Sequence, residues 1–145
     1  MSDYSISITV DRSAAEAFRA ITAVRGWWFG EIAGSSEQVG DEFTYQVTGV
    51  HWSKQQVTER VPDQRIAWRV IDSELTFSSA PREWTGTTIE FALRSHGKDT
   101  TIVFTHRGLV PAFACHGACS NAWATLIDKN LRRWIETGEV QPSPW

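Results

Sequence analysis

A chain of 145 residues with 14 Lys and Arg, 17 Asp and Glu and a formal charge of −3 suffices for one domain and is short for two. At 41% hydrophobic and 21% charged residues it has the composition of a globular chain rather than a disordered one. Mild acidity without a Lys/Arg run lacks the basic footprint of a nucleic-acid binder, and the longest unbroken hydrophobic run, Ala112 to Cys115, is far below the roughly 20 residues of a membrane span.

The first element in the chain is Tyr4-Ser5-Ile6-Ser7-Ile8-Thr9-Val10, which alternates apolar and hydroxyl residues as a half-buried strand does. Ser13-Ala14-Ala15-Glu16 is a capping box, and Ala14, Ala17, Phe18, Ile21 and Val24 follow it as one helical stripe that stops at Gly26. Trp27-Trp28-Phe29-Gly30 reads as a short helical turn or tight loop. From Gly40 to Arg107 the reading is almost entirely β: Glu42–Val47, Val50–Val61, Arg65–Val70, a short piece Ser73–Phe77, Thr85–Arg94 and Thr100–His106. Pro62-Asp63-Gln64 and His96-Gly97-Lys98-Asp99 are turns between them. The period then returns to 3.6, with Cys119, Trp123, Leu126, Ile127, Leu131, Trp134 and Ile135 on one stripe. Gly117, Ser120 and Asn121 blur the start of that helix; Gly138 stops it, and Pro142 and Pro144 prevent resumption.

This order, β-α followed by five or six antiparallel strands and a long helix, predicts an α+β domain over residues 1–145. Its curved sheet wraps around the C-terminal helix. Sheet and helix curve differently, so a gap between them is the expected ligand site. Eight Trp against seven Phe and two Tyr are more than such a core needs, which suggests that some indoles line that gap. Trp68, Phe91, Phe104 and Trp123 are expected to face inward. Trp27, Trp28 and Trp84 fall at element ends, His51 and His96 read as surface or turn residues, and Trp52 has an ambiguous face.

The chain resembles the START-like (SRPBCC) helix-grip superfamily, and within it the branch named for the activator of heat-shock protein 90 ATPase. The resemblance rests on Val10-Asp11-Arg12-Ser13 with Gly26-Trp27-Trp28, on Val57-Thr58-Glu59, Arg65-Ile66-Ala67-Trp68 and Glu83-Trp84-Thr85-Gly86-Thr87. It continues in Phe104-Thr105-His106-Arg107-Gly108-Leu109-Val110-Pro111, in Cys115 through Trp123, and in Thr137-Gly138. It implies a hydrophobic cavity for lipids, sterols, polyketides or other apolar molecules. The co-chaperones behind the name carry a further N-terminal chaperone-binding domain. This sequence starts at the first strand, so the chaperone role is not carried over by name alone.

The expected function is binding of a small apolar molecule, with Trp28, Trp68, Trp84, Phe91, His106, Cys119 and Trp123 as the ligand-binding set and His106 or an indole N–H orienting the ligand. The alternative is a protein-interaction module that regulates a chaperone; a cyclase- or hydrolase-like enzyme comes third. No nucleophile elbow, phosphate loop or nucleotide fingerprint occurs, and Glu59 and Glu83 read as strand-edge or loop contacts. His106, Cys115, His116 and Cys119 contain one Cys pair without a second, and Cys119 fits the apolar stripe. Neither a metal nor a cofactor is therefore expected. The start Met1-Ser2-Asp3-Tyr4 lacks a basic region followed by an apolar stretch, and Cys115 and Cys119 at helical spacing do not easily reach disulfide geometry. A reduced cytoplasmic protein is the expectation.

Overall fold

The computed structural model describes residues 3–139 apart from Phe29 and Phe77. The sequence readings of Phe29, Phe77, Pro142 and Pro144 lie outside the described residues. Strand β1 (Tyr4–Val10) leads into helix α1 (Ala14–Thr22) and a 3-10 turn (Val24–Gly26). Six strands follow: β2 (Glu31–Gly34), β3 (Glu42–Val47), β4 (His51–Val61), β5 (Arg65–Leu75), β6 (Thr88–His96) and β7 (Asp99–Arg107). Helix α2 (His116–Thr125) continues through a π-helical segment (Leu126–Leu131) into α3 (Arg132–Thr137).

Every strand pairs antiparallel with its neighbour, in the order β1-β7-β6-β5-β4-β3-β2. Each sequential pair from β2 to β7 is local; β1 closes onto β7 across the length of the chain, with Tyr4 opposite His106 and Val10 opposite Thr100. The register of β4 on β5 slips between Lys54 and Gln55 and between Val57 and Glu59. Such bulges bend a strand and increase its twist, and here they curl the sheet around the helix.

The local signals act where the sequence places them. The Ser13 side chain accepts the Glu16 N–H at 3.2 Å while the Glu16 carboxylate reaches back to the Ser13 N–H, so both donors of the capping box are satisfied. Gly138 stops α3 in the left-handed conformation at φ 74°. Asp63 holds φ 64° in the turn between β4 and β5, a conformation that Asp tolerates better than most side chains.

Three elements depart from the sequence reading. β2 precedes Gly40, where no strand was expected, and it is four residues long and mostly exposed. The short Ser73–Phe77 piece is not separate, because β5 runs on to Leu75 past the bulge. The blurred start of the C-terminal helix is His116, with Cys115 at the N-cap position. There the Glu83 carboxylate accepts the Ala114 and Cys115 backbone N–H groups at 3.0 and 2.8 Å. A carboxylate on free amide donors suits the positive end of the helix. It compensates for the poor helix formers Gly117, Ser120 and Asn121.

The core is the concave face of the sheet, the apolar stripe of the C-terminal helix, and α1 with its following turn. Trp134 closes one end: its indole N–H donates to the Ala20 carbonyl at 3.1 Å, and its ring lies flat on Gly26. A Cβ at Gly26 would stand 2.2 Å from that ring. Gly26→Ala should therefore cost about 1–3 kcal/mol of stability by overpacking. Urea unfolding measures it, and an unchanged midpoint would show that Trp134 is free to move aside.

Candidate functional site

The concave interior is an aromatic stack. Trp28 lies nearly parallel to Trp68 (centroids 6.0 Å, planes 8° apart) and to Trp27 (5.9 Å, 11°), and stacks on Tyr45 at 4.4 Å. Trp84 and Trp123 form a second parallel pair, 5.7 Å apart and 9° from parallel. Trp28 meets Trp123 at 5.4 Å, which joins the two groups. Offset stacking of this kind adds about 0.5–1.5 kcal/mol per pair beyond the area buried.

Between this stack and α2 is a cavity of about 450 Å³. Trp28, Tyr45, His51 and Trp84 form its sheet side, and Ala118, Cys119, Ala122, Trp123 and Leu126 its helix side. Exposed Val50 and Asn121 stand at its rim. Of the residues expected to contact a ligand, Trp28, Trp84, Cys119 and Trp123 line this cavity. Trp68, Phe91 and His106 stand behind its wall: Trp68 under Trp28, Phe91 between Trp68 and Phe104, His106 against Trp84 and Trp123. Trp27 is also wholly buried, its indole N–H donating to the Ile21 carbonyl.

His106 is held from both sides. The Trp123 indole N–H donates to its Nδ1 at 3.0 Å, so Nδ1 is the acceptor and the ring proton sits on Nε2. Nε2–H then donates to the Thr87 hydroxyl at 2.8 Å, and that hydroxyl donates to the Trp84 carbonyl. The result is a directed chain from helix through sheet to the loop between β5 and β6. Complete burial, with a smaller repulsion from His51, lowers the His106 pKa to about 3, so the ring is neutral at ordinary pH. Both ring nitrogens are engaged inside the protein, which makes His106 a strut of the wall.

His51 is the residue that the sequence reading misplaced. It was expected at the surface or in a turn; it is the first residue of β4, only 4% exposed, and it faces the cavity. The inward side of β4 runs His51, Ser53, Gln55, Val57, so its buried face is largely polar. His51 Nε2 is 2.9 Å from the Ser53 hydroxyl, which also accepts the Gln55 side-chain N–H. The His51 ring meets Tyr45 and Trp84 edge to face. Burial lowers its pKa to about 3 as well. Tyr45 is shifted the other way: burial pushes its hydroxyl well above the ordinary phenol value, opposed by a hydrogen bond with Trp28.

Beneath the helix start, Cys115 and Cys119 are buried free thiols. A hydrogen bond with Cys119 and burial push Cys115 well above the usual thiol value, so it is a protonated, unreactive group. Among the described residues no cluster of three or more His, Cys, Asp or Glu side chains could hold a metal ion, and no helix is long and apolar enough to cross a membrane. Glu59 pairs with Arg65, away from the cavity, and Glu83 is engaged by the Ala114 and Cys115 amides ahead of α2; neither carboxylate reaches into the site.

A curved antiparallel sheet closed over a long C-terminal helix, with a cavity between them, defines a helix-grip domain. The family described as activator of Hsp90 ATPase homolog 1-like protein matches residues 11–136, and the chain belongs to it. Its structure is similar to that of the Aha1 dimer from Colwellia psychrerythraea (TM-score 0.76, 23% identity, covering 95% of this chain and 98% of that one). It is similar also to DynU16, a protein of the dynemicin biosynthetic locus (0.72, 16%, 100% of this chain and 51% of that one). A third is CalU16 from Micromonospora echinospora (0.64, 18%, 95% and 76%). At these identities the likeness is one of fold. A comparison with curated protein sequences finds no match.

The two neutral histidines generate a pH dependence. Each folded-state pKa lies near 3, below the ordinary value of 6.5, so the unfolded chain binds more protons between those limits. The stabilisation is fully present above pH 6.5 and is lost progressively as pH falls below it. The loss is about 1.4 kcal/mol per pH unit for each ring. Urea midpoints should therefore drop from pH 7 to pH 5, before carboxylates titrate. A flat profile over that range would mean that the rings are not buried neutral.

Proposed function

We propose that this protein binds a small, largely apolar molecule in the cavity between its sheet and α2. The observation that carries this reading is the cavity itself: about 450 Å³, walled by three indoles, a phenol and aliphatic carbon, with no charged side chain among its lining residues. That volume is in the range of sites for small organic ligands. Trp28, Trp84, Cys119 and Trp123 would contact the ligand, while Trp68, Phe91 and His106 fix the wall behind them. Apolar burial, at about 25 cal/mol per Å² removed from water, would drive binding. One structural neighbour, DynU16, belongs to the dynemicin biosynthetic locus, which is in keeping with an organic ligand.

A chaperone-regulating contact surface, the other reading suggested by the family name, needs a contiguous apolar patch. Among the described residues the exposed large hydrophobics are Val39, Val50, Val61 and Val103, set on four separate segments. That dispersion favours the cavity over a docking face. The two reduced thiols accord with a cytoplasmic location.

The test is titration with N-phenylnaphthylamine, a neutral fluorescent probe of apolar sites. Wild-type protein should give saturable, one-site enhancement. Ala122→Phe, which places a ring in the cavity without touching the His106 chain, should weaken binding by about tenfold or more with its urea midpoint near wild type. Equal affinity in both proteins would move binding elsewhere, and no saturable binding to wild type would reject the cavity as a ligand site.

A further inference from the structure

The apolar cavity carries an inward-facing imidazole, His51, whose hydrogen bonding is incomplete and whose proton can be placed. Ser53 is wholly buried, and its hydroxyl already accepts the Gln55 side-chain N–H. It has one hydrogen to donate, and His51 Nε2 at 2.9 Å is the acceptor it meets among the described residues. With the hydroxyl donating to Nε2, the Ser53 oxygen both accepts and donates. The reverse direction would leave the Ser53 hydrogen without an acceptor in a dry interior, at the cost of an unmade hydrogen bond. Turning the Gln55 amide over would leave its whole NH2 group without an acceptor. The present orientation leaves only a carbonyl oxygen unmatched, which is the less costly of the two.

Since the ring is neutral and Nε2 accepts, the single imidazole proton is on Nδ1. Nδ1 meets no hydrogen-bond partner among the described residues, and His51 lines the cavity. The other polar side chains of the lining are differently placed: the Tyr45 hydroxyl accepts from the Trp28 indole, the Trp123 N–H is taken by His106, and Asn121 and Thr125 are on α2, Asn121 at the exposed rim. The Trp84 N–H meets no oxygen or nitrogen acceptor among the described residues and has the Cys115 sulfur beside it.

We infer that His51 Nδ1–H is a hydrogen-bond donor built into the apolar wall, so that the ligand is a flat hydrophobic molecule carrying an acceptor oxygen, a ketone or similar carbonyl, seated against His51. This rests on the cavity reading above and narrows it. A carbonyl satisfies the donor and brings no hydrogen of its own into the dry wall. A pure hydrocarbon would leave Nδ1–H buried and unmatched, and an ammonium group would set two donors face to face. The burial that keeps His51 uncharged also removes any attraction for a carboxylate, so a neutral carbonyl is preferred over an acid. Stacking against Trp28, Tyr45 and Trp84 would hold the conjugated part of such a molecule.

The experiment uses two fluorescent naphthalenes. Prodan carries a ketone, and its emission moves to the red when that carbonyl accepts a hydrogen bond; dimethylaminonaphthalene is the same ring system without the ketone. Both should bind wild-type protein. Bound prodan should emit to the red of its position in a dry hydrocarbon solvent. In His51→Phe, which keeps a flat ring, the affinity ratio of prodan to dimethylaminonaphthalene should fall by about fivefold to tenfold, and prodan emission should move to the blue. An unchanged ratio and unchanged emission in a folded variant would overturn the His51 donor while leaving the cavity reading intact. Failure of both probes to bind wild type would remove the cavity reading and the donor with it. Should His51→Phe not fold, the wild-type spectrum decides: hydrocarbon-like emission from bound prodan overturns the proposal.

Discussion

The hydrogen-bonded chain from Trp123 through His106 and Thr87 to the Trp84 carbonyl is the constraint on which the site depends. It joins three pieces that meet nowhere else in the same way: the C-terminal helix, the end of β7, and the loop between β5 and β6. Each indole in the chain supplies one wall of the cavity, so the distance between the walls is set by polar geometry rather than by apolar contact alone. An apolar interior of this size would tend to close on itself. A directed chain of neutral groups, satisfied at every step except the ends, resists that collapse without placing a charge in the interior. The Glu83 carboxylate works on the same loop from outside, fastening it to the Ala114 and Cys115 amides just ahead of α2.

Much of the architecture was legible because it rests on local rules. The hydroxyl-apolar alternation of β1, the capping box at Ser13 and the stripe from Cys119 to Ile135 each state a periodicity that the fold then uses. What was not legible came from places where burial and polarity part company. On β4 the inward residues are His51, Ser53 and Gln55, while Trp52 is only half-buried and Lys54 and Gln56 follow it, so no apolar row marks the buried face. β2 has four residues, ends in Gly34 and carries almost no buried side chain, which leaves no pattern to read.

The tryptophans divide along the same line. Their number suggested that some of them line the gap, and spacing placed Trp68 and Trp123 on inner faces. Which of them reaches a cavity depends on the depth at which each ring stops, and depth is set by neighbours distant in sequence. Trp68 is covered by Trp28, and Trp27 by Trp28 and Phe91. His106 was expected to orient the ligand, and the structure shows both of its ring nitrogens engaged within the protein. Its two partners, Trp123 and Thr87, are 17 and 19 residues away in opposite directions along the chain, beyond the reach of any local rule.

The parallel indoles have a consequence of another kind. Trp27, Trp28 and Trp68 lie within 6.5 Å of one another with nearly parallel planes, and Trp84 and Trp123 form a second such pair. Chromophores so close and so aligned share their electronic excitation, giving coupled bands in circular dichroism and light that loses its polarisation as it hops from ring to ring. The interior of this protein is thus its own optical antenna. Any molecule that enters between Trp28, Trp84 and Trp123 will change how they absorb and pass on light, whatever its chemistry.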